Sequence, residues 1–225
     1  MVNGEGDNLD NETYVRTQIV EAGKKLQERF FVASNDGNIS AKLDDNTILI
    51  TPTGVNKGEV TPDQIIKVDR EGNVIAGHMK VTSEIKMHLV VYNMRSDVRA
   101  IVHAHPPAST AFAVSRQKLE EPVILPEAVF SLGKIGYCEY GTPSTNEVSK
   151  SVKKEITHSD VLLLSNHGAL TVGADVMRAY YKMENLEMVS KITIYSKIIG
   201  DIKTLNELQI EKLNIVKKEK GWSSL

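Results

Sequence analysis

The chain is 225 residues long and 41% of its residues are hydrophobic, which is enough for one sizeable core. Its formal net charge of −2 excludes attraction to nucleic acid or to an anionic membrane through a general positive field, so we expect neither partner. A single cysteine, Cys138, excludes an intrachain disulfide and a thiolate metal cage, and it suits the reducing cytoplasm.

The N-terminal half begins with a polar, acidic segment that is unlike a signal peptide. We expect residues 1–11 to form a flexible leader and residues 12–225 to form a single domain. Apolar residues at regular spacing and clusters of turn residues define the first elements. In chain order these are a helix over Tyr14–Phe31, strands at Ile39–Leu43 and Thr47–Thr51, a helix cap at Thr61–Gln64, strands at Ile65–Val68 and Val74–Ala76, and a helix over Ser83–Met94.

The C-terminal half alternates strands with helices and ends in helix, and it holds no apolar run near the roughly 20 residues that cross a bilayer. In chain order the patterns predict a strand at Val98–His103, a helix over Pro107–Val114, strand and loop over Val123–Tyr140, a helix over Ser144–Glu155, strands at Val161–Leu164 and Ala169–Val172, and helices over Asp175–Ile199 and Thr204–Glu219. Hairpins interleaved with helices are typical of a largely antiparallel sheet covered by helices.

The most informative motif is the histidine pair in Val102-His103-Ala104-His105-Pro106. Residues two apart on a strand point to the same side, so both imidazoles project in one direction. A further histidine, His167, follows the apolar run Val161–Leu164. Three neutral nitrogen ligands leave one position of a divalent metal open, as in catalytic sites. Capping or core histidines are the alternative, but the pair at a strand end favours a metal, with Zn²⁺ preferred and Mn²⁺, Fe²⁺ or Co²⁺ as substitutes.

A second motif, Val81-Thr82-Ser83-Glu84, stands at a predicted helix start. Free backbone N–H groups at a helix N-terminus favour an anion such as phosphate. An ordinary N-cap formed by Thr82 or Ser83, with Glu84 complementing the helix dipole, explains the same residues. His88 lies one turn after Glu84, where a helix-face histidine is more typical of structure than of metal binding.

Two glycine-bearing loops, Gly37-Asn38-Ile39-Ser40 and Thr51-Pro52-Thr53-Gly54, also resemble phosphate cradles. Each signal is weak alone because ordinary turns use the same residues. Lys57 lies close behind the second loop and adds a positive charge there, although an exposed lysine is its simpler interpretation.

Five motifs in order give the chain a specific resemblance. They are Gly37-Asn38-Ile39-Ser40, Ile50-Thr51-Pro52-Thr53-Gly54, Thr82-Ser83-Glu84 followed by Met87-His88, Val102-His103-Ala104-His105, and Asn166-His167-Gly168. Together, over roughly residues 12 to 200, the chain resembles the class II aldolase and adducin family, typified by L-fuculose-1-phosphate aldolase. The resemblance implies a three-layer αβα fold of the α/β class, and a homotetramer with sites at subunit boundaries.

The resemblance also implies a zinc enzyme that cleaves a ketose 1-phosphate reversibly into dihydroxyacetone phosphate and an aldehyde. The implied ligands of one zinc ion per subunit are His103, His105 and His167. The implied phosphate pocket consists of Asn38, Thr53, Gly54, Thr82 and Ser83. Glu84 matches the aldolase base, where the related 4-epimerases have aspartate, and we expect its pKa to be tuned toward neutrality.

One departure from the family leaves the sugar open. The family tyrosine that assists proton transfer from a neighbouring subunit is missing from the region Ile124–Glu127. Glu127, Tyr137 and Tyr140 are alternative replacements, and a 5-deoxypentulose or methylthiopentulose 1-phosphate is as reasonable a substrate as L-fuculose 1-phosphate. The rival functions are a sugar-phosphate 4-epimerase, a methylthioribulose-1-phosphate dehydratase, and a non-catalytic adducin-like interaction module that would lack the metal ligands.

Overall fold

The structure is a computed structural model that describes residues 4–119 and 123–222. Its helices are α1 (Gly4–Glu28), α2 (Ile85–Met94), α3 (Pro107–Ser115), α4 (Asn146–Glu155), α5 (Val176–Ile199) and α6 (Glu207–Glu219). Its strands are β1 (Asn38–Lys42), β2 (Thr47–Ile50), β3 (Ile66–Asp69), β4 (Val74–Ala76), β5 (Ala100–Ala104), β6 (Ile135–Cys138), β7 (Val161–Leu164) and β8 (Gly168–Gly173). A 3₁₀ turn at Pro62–Gln64 and a π turn at Ala128–Leu132 complete the elements within these ranges.

The eight strands described form one sheet in the order β4-β3-β2-β1-β5-β8-β7-β6. Neighbouring strands are antiparallel except β6 and β7, which run parallel. The connection between these two strands carries α4, as a parallel pair requires a crossover. The predicted single α/β domain with a largely antiparallel sheet is therefore confirmed.

Helices cover the sheet on both faces, because the strands alternate apolar side chains between two separate cores. On one face Val102 and Ala104 of β5 pack with residues of α1, α3 and α5. On the other face Ile101 packs with residues of α2 and α4. This is the three-layer αβα arrangement that the family resemblance implies.

The register of the central strands places the functional side chains. Asn38, the first residue of β1, pairs with His103 of β5, and His103 pairs with Leu170 of β8 on its other side. His103 is two residues from Ile101 and therefore faces the layer that contains α2. The turn between β7 and β8 carries His167 at the same end of the sheet.

Some boundaries differ from the sequence prediction. Helix α1 begins at Gly4, ten residues before the expected Tyr14, so residues 4–11 of the predicted leader are helical. Residues 1–3 lie outside the described residues, and the leader–domain division stays a prediction. The expected helix cap at Thr61–Gln64 is a single 3₁₀ turn. No helix in the described ranges is long and apolar enough to cross a membrane.

Candidate metal centre and anion pocket

Three histidines from two loops and a strand meet at one point. His103 is the fourth residue of β5, His105 follows the strand end, and His167 lies in the β7–β8 turn. Each offers a ring nitrogen, and these nitrogens all lie within 4.8 Å of one another. The Nε2 atoms of His103 and His105 are 3.2 Å apart. Sequence reasoning predicted this convergence, and the structure places the three rings together.

The spacing fits a divalent metal ion. Two nitrogens bound to a tetrahedral zinc at about 2.0–2.1 Å lie about 3.4 Å from each other, close to the separation of the His103 and His105 nitrogens. His103 donates from Nδ1 to the carbonyl oxygen of Ala169 at 2.9 Å, which leaves Nε2 free to bind. A second hydrogen bond of this kind orients a ligand ring and fixes its tautomer. His167 has no such bond, since its Nδ1 is buried without a hydrogen-bond partner among the described residues.

The protonation of the rings also suits metal binding, which requires neutral imidazole. Burial lowers the pKa of His167 to about 4, with a further contribution from neighbouring His103. Burial likewise lowers the pKa of His105. Burial also lowers the pKa of His103, but the Glu84 carboxylate beside it raises it more, so its net shift is upward. A metal ion bound here therefore competes with a proton on His103.

The carboxylate of Glu84 lies against the histidines. Its Oε2 is 3.2 Å from Nε2 of His103, and its Oε1 is 3.5 Å from Nε2 of His167. Burial raises the pKa of Glu84, but the charge of His103 and the hydrogen bonds to the carboxylate lower it more. The pKa thus lies below its usual range, so the expected tuning toward neutrality is wrong for these surroundings. The pKa of Glu84 is low because His103, His167 and Asn38 surround the carboxylate and stabilise its charged form.

A cavity of about 330 Å³ adjoins the histidines and joins the predicted site residues. Of those residues, Asn38, Thr53, Thr82, Ser83, Glu84, His105 and His167 line it. Gly54 is absent from the lining but follows Thr53 directly, with a left-handed φ of 77° that glycine tolerates. The buried His103 lies behind the cavity wall. Their roles in phosphate binding stay predictions.

The N-terminus of α2 points to the same cavity without a side-chain cap. The helix begins at Ile85, its N-cap is Glu84, and no side chain caps it by a hydrogen bond. The alternative interpretation of the sequence places the cap at Thr82 or Ser83; both precede the cap position, although Oγ1 of Thr82 accepts from the backbone N–H of Glu84 at 3.4 Å. The N–H groups of Ile85 and Met87 bond to the carbonyl oxygens of Thr82 and Glu84. The attraction for an anion here therefore comes from the helix dipole, which favours negative charge at a helix start.

Lys57 is buried rather than exposed, which corrects the simpler interpretation of the sequence. It is 1% exposed, and its Nζ donates to the carbonyl oxygens of Asn35 at 2.9 Å and Val55 at 2.6 Å. Burial lowers its pKa to about 8, while neighbouring Asp36 acts in the opposite direction. Lys57 lines the cavity beside Thr53 and so places a cation at the predicted anion site.

Two further cavity residues escaped sequence reasoning. Asp36 lies 3.4 Å from Nδ1 of His105, directly before the motif Gly37-Asn38-Ile39-Ser40 and outside the residues that the sequence singled out for the site. Ser144 donates from Oγ to Oγ of Ser83 at 2.8 Å and has a positive φ of 67°. No sequence signal connects Ser144 with Ser83, because the contact spans 61 positions and depends on the fold.

Comparisons with known proteins identify the family of this chain. The family model described as "Class II Aldolase and Adducin N-terminal domain" matches residues 17–194, so the chain belongs to that family. The family is metal-dependent, the chain's relatives include named aldolases, and the protein is an enzyme.

Particular relatives cover almost the whole fold. The L-fuculose phosphate aldolase of Methanocaldococcus jannaschii is 35% identical over 184 residues, covering 82% of this chain and 98% of that protein. The 3-oxo-tetronate 4-phosphate decarboxylase of Pectobacterium atrosepticum is 31% identical over 205 residues, covering 89% and 92%. The 5-deoxy-D-ribulose 1-phosphate aldolase of Bacillus thuringiensis is 29% identical over 208 residues, covering 92% and 96%. A solved structure of L-fuculose 1-phosphate aldolase superposes with a TM-score of 0.82 at 29% identity, covering 91% and 96%.

Proposed function

We propose that the protein is a zinc-dependent aldolase. It cleaves a ketose 1-phosphate between C3 and C4, reversibly, into dihydroxyacetone phosphate and an aldehyde. The observation that carries the proposal is that one cavity joins a three-histidine cluster, a buried carboxylate and an uncapped helix start. Relatives named as aldolases of L-fuculose phosphate and 5-deoxy-D-ribulose 1-phosphate support it.

The chain's own residues have distinct tasks in this reaction. Thr53, Thr82 and Ser83 bind the phosphate beside the start of α2, where the helix dipole favours an anion, and Lys57 lines the same cavity and neutralises part of the charge. Anchoring the phosphate holds the reacting carbon in place, so remote binding energy serves orientation. Asn38 and Gly54 complete the proposed pocket.

Glu84 transfers the proton at C3. In the condensing direction it removes a proton from the hydroxymethyl carbon of dihydroxyacetone phosphate, and in cleavage it returns that proton. The group that replaces the family tyrosine takes the C4 hydroxyl proton in cleavage and gives it back to the aldehyde oxygen in condensation. Oε1 of Glu84 is suited to the transfer at C3 because it is buried and has no hydrogen-bond partner among the described residues. Its Oε2 is held by the amide of Asn38 at 2.9 Å. A bound divalent ion would be held by His103, His105 and His167 and would act as a Lewis acid toward the negative charge that develops.

We propose Zn²⁺ as the metal, one ion per subunit, because three imidazoles suit it; Mn²⁺, Fe²⁺ and Co²⁺ accept the same ligands. The sugar is a fuculose-like or 5-deoxypentulose-like 1-phosphate.

The family tyrosine that assists proton transfer also needs a replacement. The hydroxyl of Tyr137 accepts a hydrogen bond from the Leu119 amide, whereas Tyr140 is 55% exposed and accessible to another subunit. Tyr140 is therefore our choice over Tyr137 and Glu127.

A second candidate function is decarboxylation of a 3-oxo acid phosphate. The observation that favours it is the 31% identity to the decarboxylase of Pectobacterium atrosepticum over most of both chains. Such a reaction needs the same metal and phosphate sites but no proton abstraction from carbon by Glu84. The 4-epimerase and the methylthioribulose-1-phosphate dehydratase remain alternatives, although Glu84 stands where the epimerases have aspartate. An adducin-like module has lost its ligands, and here all three histidines are present.

Analysis of the products separates these functions. The zinc-loaded protein is incubated with L-fuculose 1-phosphate, 5-deoxyribulose 1-phosphate, methylthioribulose 1-phosphate, ribulose 5-phosphate and 3-oxo-tetronate 4-phosphate. An aldolase releases dihydroxyacetone phosphate from one of the first two. Carbon dioxide from the last compound identifies the decarboxylase, and an intact carbon chain identifies the epimerase or the dehydratase.

For the quaternary structure we propose a homotetramer in the cytoplasm. Helix α5 packs one face on the subunit core, while its other face exposes apolar side chains at seven-residue spacing, at Tyr181, Met188 and Tyr195. Exposed apolar surface of this kind marks interaction sites. Light scattering should give four times the subunit mass of 24.9 kDa, and a monomer would contradict the proposal.

A further inference from the structure

A buried line of polar side chains runs from Glu84 into the layer between β1 and α2. Three of its members, Glu84, His88 and Tyr92, stand four residues apart along α2 and its cap. The other two, Asn38 and Ser40, stand two residues apart on β1 and face the same side. Four helical residues advance about 6 Å and two strand residues about 6.6 Å, so the two sets interleave.

Hydrogen bonds connect all five side chains. Asn38 donates from Nδ2 to Oε2 of Glu84 at 2.9 Å, and Oδ1 of Asn38 bonds to Nε2 of His88. Oγ of Ser40 lies 2.7 Å from Nδ1 of His88 and 2.7 Å from the hydroxyl of Tyr92. The line therefore alternates between helix and strand from the carboxylate to the tyrosine.

The carboxylate fixes the direction of every bond. Because ionised Glu84 only accepts, the Asn38 amide must present its nitrogen to it and its oxygen to His88. His88 must then donate from Nε2, and as a neutral imidazole it accepts at Nδ1 from Ser40. The Ser40 oxygen in turn accepts from Tyr92. All donors thus point toward Glu84.

Folding stability alone does not explain why these polar side chains are buried. His88 and Ser40 are fully buried, and apolar residues such as Met87, Val91 and Ile101 fill the core around α2. Buried polar groups add little net stability to a protein even when they are hydrogen-bonded. The protein loses considerable stability when one partner of such a bond is removed.

One evident result of the line is the asymmetry of Glu84. Its Oε2 is bonded to Asn38 and lies 3.2 Å from Nε2 of His103. Its Oε1 has no hydrogen-bond partner among the described residues and lies 3.5 Å from Nε2 of His167.

We propose that His88 is a positioning residue, which acts through Asn38 to hold Glu84 by its Oε2 atom and to keep Oε1 free for proton transfer at carbon. The inference rests on the proposed function, since that supplies the reaction in which Glu84 exchanges the proton. Asn38 keeps a second amide proton, so this role does not exclude contact with a substrate phosphate. His88 touches no substrate and binds no metal in this scheme.

A pair of amide variants tests the proposal. His88→Gln retains a donor at the position of Nε2, whereas His88→Asn is one methylene shorter and does not reach Asn38. Both replace the ring by a primary amide in the same core site, so each serves as a control for the other's effect on packing. The measured quantities are zinc content, the KM for dihydroxyacetone phosphate, and the rate at which its hydroxymethyl proton exchanges in deuterated water.

We expect His88→Asn to exchange the proton about 10–100-fold more slowly than His88→Gln, the usual loss when an outer partner of a site is removed. Zinc content and KM should be the same in both. Equal exchange rates in the two variants, or equal loss of zinc, would assign His88 a merely structural role and overturn the proposal.

A measurement on the wild-type protein decides the point if either variant fails to fold. Neutron crystallography should locate one hydrogen on His88, at Nε2, and the Ser40 hydrogen directed to Nδ1. A hydrogen on Nδ1 of His88 would reverse the line and overturn the proposal. If the wild-type protein exchanges no proton of dihydroxyacetone phosphate, the proposed function fails, and the neutron result still decides the direction of the line.

Discussion

Gly168 offers a sharp test of the proposed metal centre, because the absence of a side chain there leaves room for the ring of His105. A Cβ added at this position would lie 2.5 Å from Cδ2 of His105 and 2.6 Å from the carbonyl oxygen of Ala104. Carbon atoms in contact are separated by about 3.5–4.0 Å, so Gly168→Ala must displace the His105 ring or the strand end by roughly 1 Å. Ligand distances in metal sites are held to about 0.2 Å.

We therefore expect Gly168→Ala to weaken zinc binding by about 10–100-fold and to lower turnover by about 100-fold. Zinc affinity is measured by competition with a chromophoric chelator, and turnover by release of dihydroxyacetone phosphate. The matched control is Gly173→Ala, at the opposite end of β8 from Gly168. Its added Cβ would lie 2.6 Å from the backbone nitrogen of Ala179. Both variants should lose about 1–3 kcal/mol of stability from overpacking.

Only Gly168→Ala should change the affinity for zinc. Wild-type zinc affinity in Gly168→Ala, or an equal loss of affinity in Gly173→Ala, would refute the assignment of His105 as a ligand held against Gly168. Urea unfolding of both variants shows whether their stabilities are matched closely enough for the comparison.

Four further results are expected. Glu84→Gln should keep its zinc and lose turnover by about two to four orders of magnitude, and near-normal turnover would reassign the base. His105→Ala should lose zinc and activity together, as metal analysis will show; full metal content removes it from the ligands. The pKa of His103 is raised, so its proton competes with zinc, and the apparent affinity should fall up to about tenfold per unit as pH drops below that pKa; a flat titration would contradict this. Lys57→Ala leaves two buried carbonyls without their donor and should cost about 1–3 kcal/mol in urea unfolding, and an unchanged midpoint would contradict its structural role.

The convergence of the three histidines was predictable because their spacing has a geometric meaning. His103 and His105 are two apart at the end of an apolar run, and His167 follows another run, so strand ends alone bring them close. The structure adds that His105 lies just beyond β5 and that its ring borders Gly168. The sheet and its layers were predictable for the same reason, from hairpin turns and apolar periodicity.

Contacts between distant segments were not predictable. The Nζ of buried Lys57 donates to the carbonyl oxygen of Val55 in its own loop and to that of Asn35, which is 22 residues away, and nothing in the local sequence shows the contact with Asn35. The line of polar side chains behind Glu84 was equally unpredictable as a whole. The four-residue steps on α2 are visible in the sequence, but only the tertiary fold shows that β1 lies beneath them.

In the proposed reaction the three histidines, Glu84 and the anion pocket act together on dihydroxyacetone phosphate. Proton exchange tests this directly, since it needs no knowledge of the aldehyde. Dihydroxyacetone phosphate is incubated in deuterated water with zinc-loaded protein, and its hydroxymethyl signal is followed by proton NMR. One of the two hydroxymethyl protons should exchange, and chelation of the metal or Glu84→Gln should abolish this exchange. Retention of both protons by the zinc-loaded wild-type protein at saturating substrate would contradict the account.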